Sequence, residues 1–104
     1  MKTIYKYSLD PYRSGLPEIV MPKDAKILTL QLKQGAPFIW ALVDTNKDHQ
    51  KRYFIWRGTG NEIDSEVGTY IGTIQMERGN SVVLHLFELS KEEEENLKKI
   101  KATL

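Results

Sequence analysis

The sequence contains no cysteine, which excludes disulfide scaffolds, cysteine nucleophiles and thiolate metal sites. Only two histidines occur, His49 and His85, and neither has a second histidine at ligand spacing, so no metal site is expected. No serine stands in a Gly-x-Ser-x-Gly elbow, the strained turn that exposes a hydrolase nucleophile. No run approaches the ~18 apolar residues of a membrane span. The opening MKTIYKYSLD lacks the apolar core of a signal peptide. An excess of one charge is missing too: 15 basic against 14 acidic residues leave +1, too little for a chain-wide clamp on duplex nucleic acid. These absences imply a cytoplasmic protein with no membrane partner, no duplex nucleic acid and no cofactor.

What is present is ordinary for a globular domain. The chain has 104 residues, 40% hydrophobic and 28% charged, enough for one domain with a core. Short alternating segments dominate. Lys2 to Leu9 sets Thr3, Tyr5 and Tyr7 against Ile4 and Lys6, and Asp10-Pro11 stops it. Glu18 to Met21 is bracketed by Pro17 and Pro22, so it reads as an edge strand or extended arm. Ala25 to Lys33 places Leu28, Leu30 and Leu32 on one face, and Gln34-Gly35-Ala36 turns the chain into Pro37 to Val43. That strand is apolar on both faces, which predicts cover on both sides and a core position for Trp40. Asp44 to Gln50 is a polar loop, followed by a strand from Lys51 to Arg57.

Thr69 to Met76 and Ser81 to Leu89 read as a second hairpin through the turn Arg78-Gly79-Asn80. Gly72 marks a bulge or a close backbone approach. Ser90 to Thr103 changes to a helical period. Ser90 and Glu93 make a capping box, Glu92 to Glu95 sit at the positive dipole end, and Lys98, Lys99 and Lys101 sit at the negative end. The pairs Glu94–Lys98 and Glu95–Lys99 are favourable. The apolar stripe, Leu97, Ile100 and Leu104, is narrow, so the helix lies on the surface or reaches to a partner. The predicted fold is mainly β: a small antiparallel sandwich or partly open barrel over 1–89, with one C-terminal helix over 90–104 in the same domain. Exposed sheet edges and the narrow helix stripe predict a homo-oligomer.

Chemistry concentrates between Arg52 and Asn61. Gly58-Thr59-Gly60-Asn61 lacks the Walker lysine and a following helix, so it is either a plain turn or an anion-binding nest. Arg52, Tyr53, Trp56 and Arg57 precede it. Arginine pairs with phosphate and aromatic rings stack bases, so the mixture suits a nucleotide or a single-stranded nucleic acid. It equally suits a half-buried strand or a protein hot spot. Alternation puts Arg52 and Trp56 on the face of Phe54, which reads as core, and Tyr53 and Arg57 on the other face. The candidate ligand site is therefore Tyr53, Arg57, Gly58, Thr59, Gly60, Asn61 and Tyr70. His85 reads either as a packed strand histidine or as a catalytic one. Glu62, Asp64 and Glu66 read either as a solvated acidic loop or as an acid–base or metal pair.

The segments MPKDAKILTLQLKQGAPFIWALVD, KTIYKY, WRGTGNEI and YIGTIQM carry a resemblance to a family of small uncharacterised proteins encoded in bacteriophage and prophage genomes. Its most distinctive elements are Trp40-Ala41-Leu42-Val43-Asp44, Gly58-Thr59-Gly60 and Tyr70-Ile71-Gly72-Thr73. The resemblance covers roughly residues 2 to 88 and omits the helix. It transfers no catalytic role, and it implies a protein acting in the host cytoplasm. Small phage proteins without enzyme motifs often act by binding, a class-level association. The expectation is a non-catalytic binding protein acting on host defence or physiology by sequestering a nucleotide-like signal. The alternative is an inhibitor that blocks a host protein through an aromatic surface or the charged helix. A small enzyme using loop carboxylates stands behind both.

Overall fold

The computed structural model describes residues 1–63, 65–78 and 80–103. Strands β1 (Lys2–Ser8), β4 (Ala36–Asp44) and β3 (Lys26–Lys33) form one sheet in that order. Strands β2 (Glu18–Pro22), β5 (His49–Gly58), β7 (Asn80–Leu89) and β6 (Thr69–Arg78) form a second. Every neighbouring pair is antiparallel. Helix α1 (Lys91–Thr103) packs on β5 and β7. The molecule measures 41 × 36 × 20 Å, and the thin dimension fits two sheets about 10 Å apart with their side chains. The fold is therefore mainly β with one C-terminal helix, two open sheets and no closed barrel.

The two predicted hairpins form. Gln34 and Gly35 both take positive φ, 53° and 79°, the backbone of the tight two-residue turn that matches strand twist. Lys33 then faces Ala36 and β3 runs back along β4. The β6–β7 register closes on Arg78 opposite Asn80; Gly79, the centre of the predicted turn, lies outside the described residues. Gly72 fulfils both expectations. The register shifts between Tyr70 and Gly72, and a Cβ at Gly72 would lie 3.2 Å from Leu30 Cβ, so the two sheets approach closely there. As predicted, β2 is an edge strand. Strand β5 begins earlier than expected, because Pro22 and Met21 pair with His49 and Gln50.

The core lies between the sheets. Ile39, Ala41 and Val43 of β4 meet Phe54, Leu86, Ile74 and Met76, with Ile19 and Met21 of β2. Two corrections concern the first sheet. Strand β3 does not present Leu28, Leu30 and Leu32 as one buried face. A bulge falls between Ile27 and Thr29, so Ile27 and Leu30 turn inward while Leu28 is 46% exposed. An extra residue on one strand resets the alternation. Nor is β4 covered on both sides. Its Ile39 face is the core, whereas Phe38 and Trp40 are half-buried and Leu42 is exposed on the outer face.

The helix does not stand away from the domain. Leu97 and Glu94 are buried, the first against the sheet. The capping box is reciprocal: Glu93 N–H donates to Ser90 Oγ at 3.1 Å and Ser90 N–H donates to Glu93 Oε1 at 2.9 Å. The other oxygen, Glu93 Oε2, accepts from Gly68 N–H at 3.0 Å, tying the 62–68 loop to the helix. Lys98 pairs with Glu94 and sits 5.1 Å above the Tyr53 ring. Of the predicted stripe, the Ile100 side chain and all of Leu104 lie outside the described residues.

Candidate functional site

The candidate residues between Arg52 and Tyr70 separate into three groups. Alternation along β5 works as predicted: Phe54 is fully buried and Trp56 packs against the core. Arg52 shares that face, and its guanidinium is fully employed. Nε and Nη2 hold the two Glu88 oxygens at 2.6 and 2.7 Å, and Nη1 donates to the Ala25 carbonyl at 2.5 Å. It is a structural clamp joining β5, β7 and the segment after β2.

Tyr53 and Arg57 share the opposite face but stand four residues apart, about 13 Å along a strand. Tyr53 lines a cleft of about 560 Å³ with Lys51, Arg52, Ser90, Lys91 and Glu94. Arg57 lies opposite His85 of β7 and donates through Nη2 to the Glu66 carbonyl. Its Nε is buried without a partner among the described residues. The glycine segment is a closed turn: Asn61 N–H donates to the Gly58 carbonyl at 3.2 Å. The Asn61 amide fills the space beside Gly58, where an added Cβ would lie 2.8 Å from Nδ2.

Thr59 and Tyr70 are brought together through residues that sequence reasoning left out of the site. Thr59 Oγ1 lies 2.8 Å from His85 Nε2, His85 Nδ1 lies 2.9 Å from Thr73 Oγ1, and Thr73 Oγ1 lies 2.5 Å from the Tyr70 hydroxyl. His85 is thus held between two threonine hydroxyls. The signal for Thr73 was cross-strand register, which places it opposite His85 and which one strand's sequence does not contain. Of the loop carboxylates, Glu66 Oε1 accepts from Asn96 at 2.9 Å, Glu62 is exposed, and Asp64 lies outside the described residues. Among the described residues no three His, Cys, Asp or Glu side chains gather to hold a metal ion, and no helix is long and apolar enough to cross a membrane.

A second surface lies on the outer face of the three-stranded sheet. Register puts Ile4 beside Leu42, Lys6 beside Trp40 and Ser8 beside Phe38. On the other side of β4, Lys26 flanks Leu42, Thr29 flanks Trp40 and Gln31 flanks Phe38. All point away from the core, because their neighbours on each strand point in. Ile4 is 55% and Leu42 38% exposed. The Phe38 and Trp40 rings lie 6.1 Å apart, with the Lys6 ammonium 4.8 Å from the Phe38 ring. Lys2 and Lys33 complete the fringe at opposite ends. None of Lys2, Lys6, Lys26 and Lys33 has a carboxylate partner among the described residues. Past Leu42 a hollow of about 160 Å³ adds Lys23 and Lys47. Its acids are already engaged, Asp24 by Lys47 at 2.9 Å and Asp44 by the N-terminus at 3.5 Å. The Lys47 partnership holds the Asp24 carboxyl below its ordinary pKa.

No curated protein and no solved structure matches the chain. One family matches residues 1–97, so the shared unit extends past the strands into the first half of α1, further than the sequence resemblance implied. The chain belongs to the family described as Domain of unknown function (DUF7352).

Proposed function

We propose that the protein is a non-catalytic binding protein that engages an anionic macromolecule through the outer face of its three-stranded sheet. One observation carries this reading: Lys2, Lys6, Lys26 and Lys33, without a carboxylate partner among the described residues, surround the exposed Ile4 and Leu42 and the half-buried Trp40 and Phe38. Contiguous apolar surface with a charged fringe marks interaction sites. The net charge of +1 conceals the asymmetry, because seven of the fourteen acids fall at positions 62–66 and 92–95 of the sequence, and Asp44 at the end of the face is engaged by the N-terminus. Arg52 and Glu88, Glu66 and Asn96, and Glu93 with its cap serve the fold, which supports binding over acid–base chemistry. The resemblance to phage and prophage proteins supports reading this activity as one in a host cytoplasm, directed at host defence or physiology.

The test is retention on a heparin matrix at low salt. The native protein should be retained, and a folded Lys2→Glu/Lys6→Glu/Lys26→Glu/Lys33→Glu variant should flow through. Equal behaviour of the two would remove this face from consideration.

A second reading keeps the small nucleotide-like ligand. It rests on the Thr59–His85–Thr73–Tyr70 chain and on the Arg57 Nε beside it, buried without a partner among the described residues. Mass spectrometry of material released from denatured protein tests it: a released nucleotide supports sequestration, and its absence from freshly purified protein argues against it.

A further inference from the structure

We infer that the outer sheet face binds single-stranded nucleic acid, with bases on Phe38 and Trp40 and phosphates on the flanking lysines. The inference rests on the proposed role of that face and names its partner. Three features of the surface select this chemistry. The half-buried aromatic pair occupies alternate positions of the central strand, with ring centroids 6.1 Å apart and planes inclined by 54°, so the rings do not stack on each other; on binding, the Lys6 ammonium over Phe38 gives way to a base and takes its phosphate. Stacking of a base on a ring tolerates any sequence. The lysines lie on both outer strands, Lys2 and Lys6 on β1 and Lys26 and Lys33 on β3, so a backbone crossing the rings in either direction meets ammonium groups. Ser8, Thr29 and Gln31 flank the rings in register and supply donors and acceptors at the height of the base edges.

Other occupants fit less well. Lysine is depleted from protein–protein interfaces, yet here four lysines flank the apolar residues. A second copy docked by the same face across a two-fold axis would bring two sets of lysines together, since such interfaces are self-complementary. A duplex hides its bases and is read by an element entering a groove, whereas this surface is the open side of a three-stranded sheet.

The experiment is fluorescence titration with oligo(dT) of about 12 nucleotides, within the length one small β fold covers. A duplex of equal length and an acidic amphipathic peptide serve as competitors. Trp40 is the reporter, since Trp56 faces the core. The native protein should bind the single strand with quenching. The log–log salt slope should approach −3, from about 0.7 for each of roughly four phosphates. Phe38→Ala, read by Trp40 quenching, and Trp40→Ala, read by the anisotropy of a dye-labelled oligo(dT), should each weaken binding roughly 5- to 150-fold, the range for one base–aromatic stack. Phe38→Tyr should bind as the native protein does.

Heparin retention without oligonucleotide binding would overturn the choice of partner and leave the face reading intact. Loss of both would overturn both. Equal affinity for duplex, unaffected by Phe38→Ala, would reduce the interaction to charge alone and reject the stacking role. Displacement by the acidic peptide with no oligonucleotide binding would reassign the face to a protein.

Discussion

Replacing Arg52 with methionine should destabilise the domain severely, because its guanidinium ties β5 to β7 and to the segment after β2. Its side chain is 17% exposed and that of Glu88 is 22% exposed, so the pair is largely withdrawn from water. The fork holds both carboxylate oxygens at 2.6 and 2.7 Å and caps the Ala25 carbonyl at 2.5 Å. Methionine matches the length and apolar stem but leaves Glu88 without its partner and Ala25 without its donor. Breaking a fully buried pair costs about 3–5 kcal/mol. Residual exposure lets water reach Glu88, so we expect about 3 kcal/mol. At about 4 °C per kcal/mol for a domain of this size, Tm should fall by about 12 °C. Urea denaturation should show the same loss with an unchanged m-value. The Arg52→Met/Glu88→Leu double variant should recover part of the loss, with a coupling of at least about 1.5 kcal/mol. A single variant losing less than about 1 kcal/mol, or strictly additive losses, would show that the pair is solvated and refute its clamping role.

Gly72→Val should cost about 1–3 kcal/mol through overpacking, because even its Cβ would lie 3.2 Å from Leu30 Cβ; thermal melting reads this. Phe54→Ala should cost about 3–5 kcal/mol, Phe54 being fully buried between the sheets, as chemical denaturation would register. Glu93→Ala should cost about 1 kcal/mol, the usual worth of a cap, and should change the acid limb of stability. Bonds from Ser90 N–H, then from Gly68 N–H, hold the Glu93 carboxyl below its ordinary 4.5. A depressed folded value adds stability above pH 4.5 that is lost as pH falls through the lower folded value. The native–variant difference should therefore narrow below pH 4.5, and a constant difference across that range would reject the cap's ionic part. If the exposed β1 edge drives self-association, light scattering at high concentration should exceed the 12.0 kDa monomer, and Thr3→Pro should restore it.

Local chemistry was legible where neighbouring residues decide it. The Ser90–Glu93 box and the alternation of Arg52 to Arg57 each depend on residues a few positions apart and form as read, and the turn read at Gln34-Gly35-Ala36 forms with Ala36 already in β4. What failed depends on partners elsewhere in the chain. The period of Leu28, Leu30 and Leu32 assumes an unbroken ladder, and the bulge after Ile27 becomes visible only against β4. The doubly apolar β4 promised cover on both sides, yet composition cannot tell a buried face from an interaction face. Arg57 looked available, and the partner of the core-facing Arg52 stayed hidden, because the Glu66 carbonyl and Glu88 are 9 and 36 residues away. A sign of the outer face did exist in β1, where Lys2, Ile4 and Lys6 alternate; paired with a second apolar face on a neighbour, that pattern signals a charged fringe around exposed apolar surface.

The same lysines admit a purely protective role, and charge reversal at two of them separates the two. Edge strands carry charged side chains to discourage pairing with other chains, and β1 and β3 are both edges of their sheet. Protection requires charge of either sign. Recognition of an anion requires positive charge, since a reversed ammonium repels a phosphate instead of releasing its counterions. Lys6→Glu/Lys33→Glu should keep the domain monodisperse and equally stable, because neither lysine has a carboxylate partner among the described residues to lose. The cation–π contact of Lys6 with Phe38 is worth only about 0.5–1 kcal/mol at an exposed site. Binding to a polyanion should nonetheless collapse, while Lys6→Ala/Lys33→Ala should reduce it by an intermediate amount. Should Lys→Glu and native proteins be retained alike on heparin, with solubility also unchanged, the lysines are guarding an edge and the partner lies elsewhere.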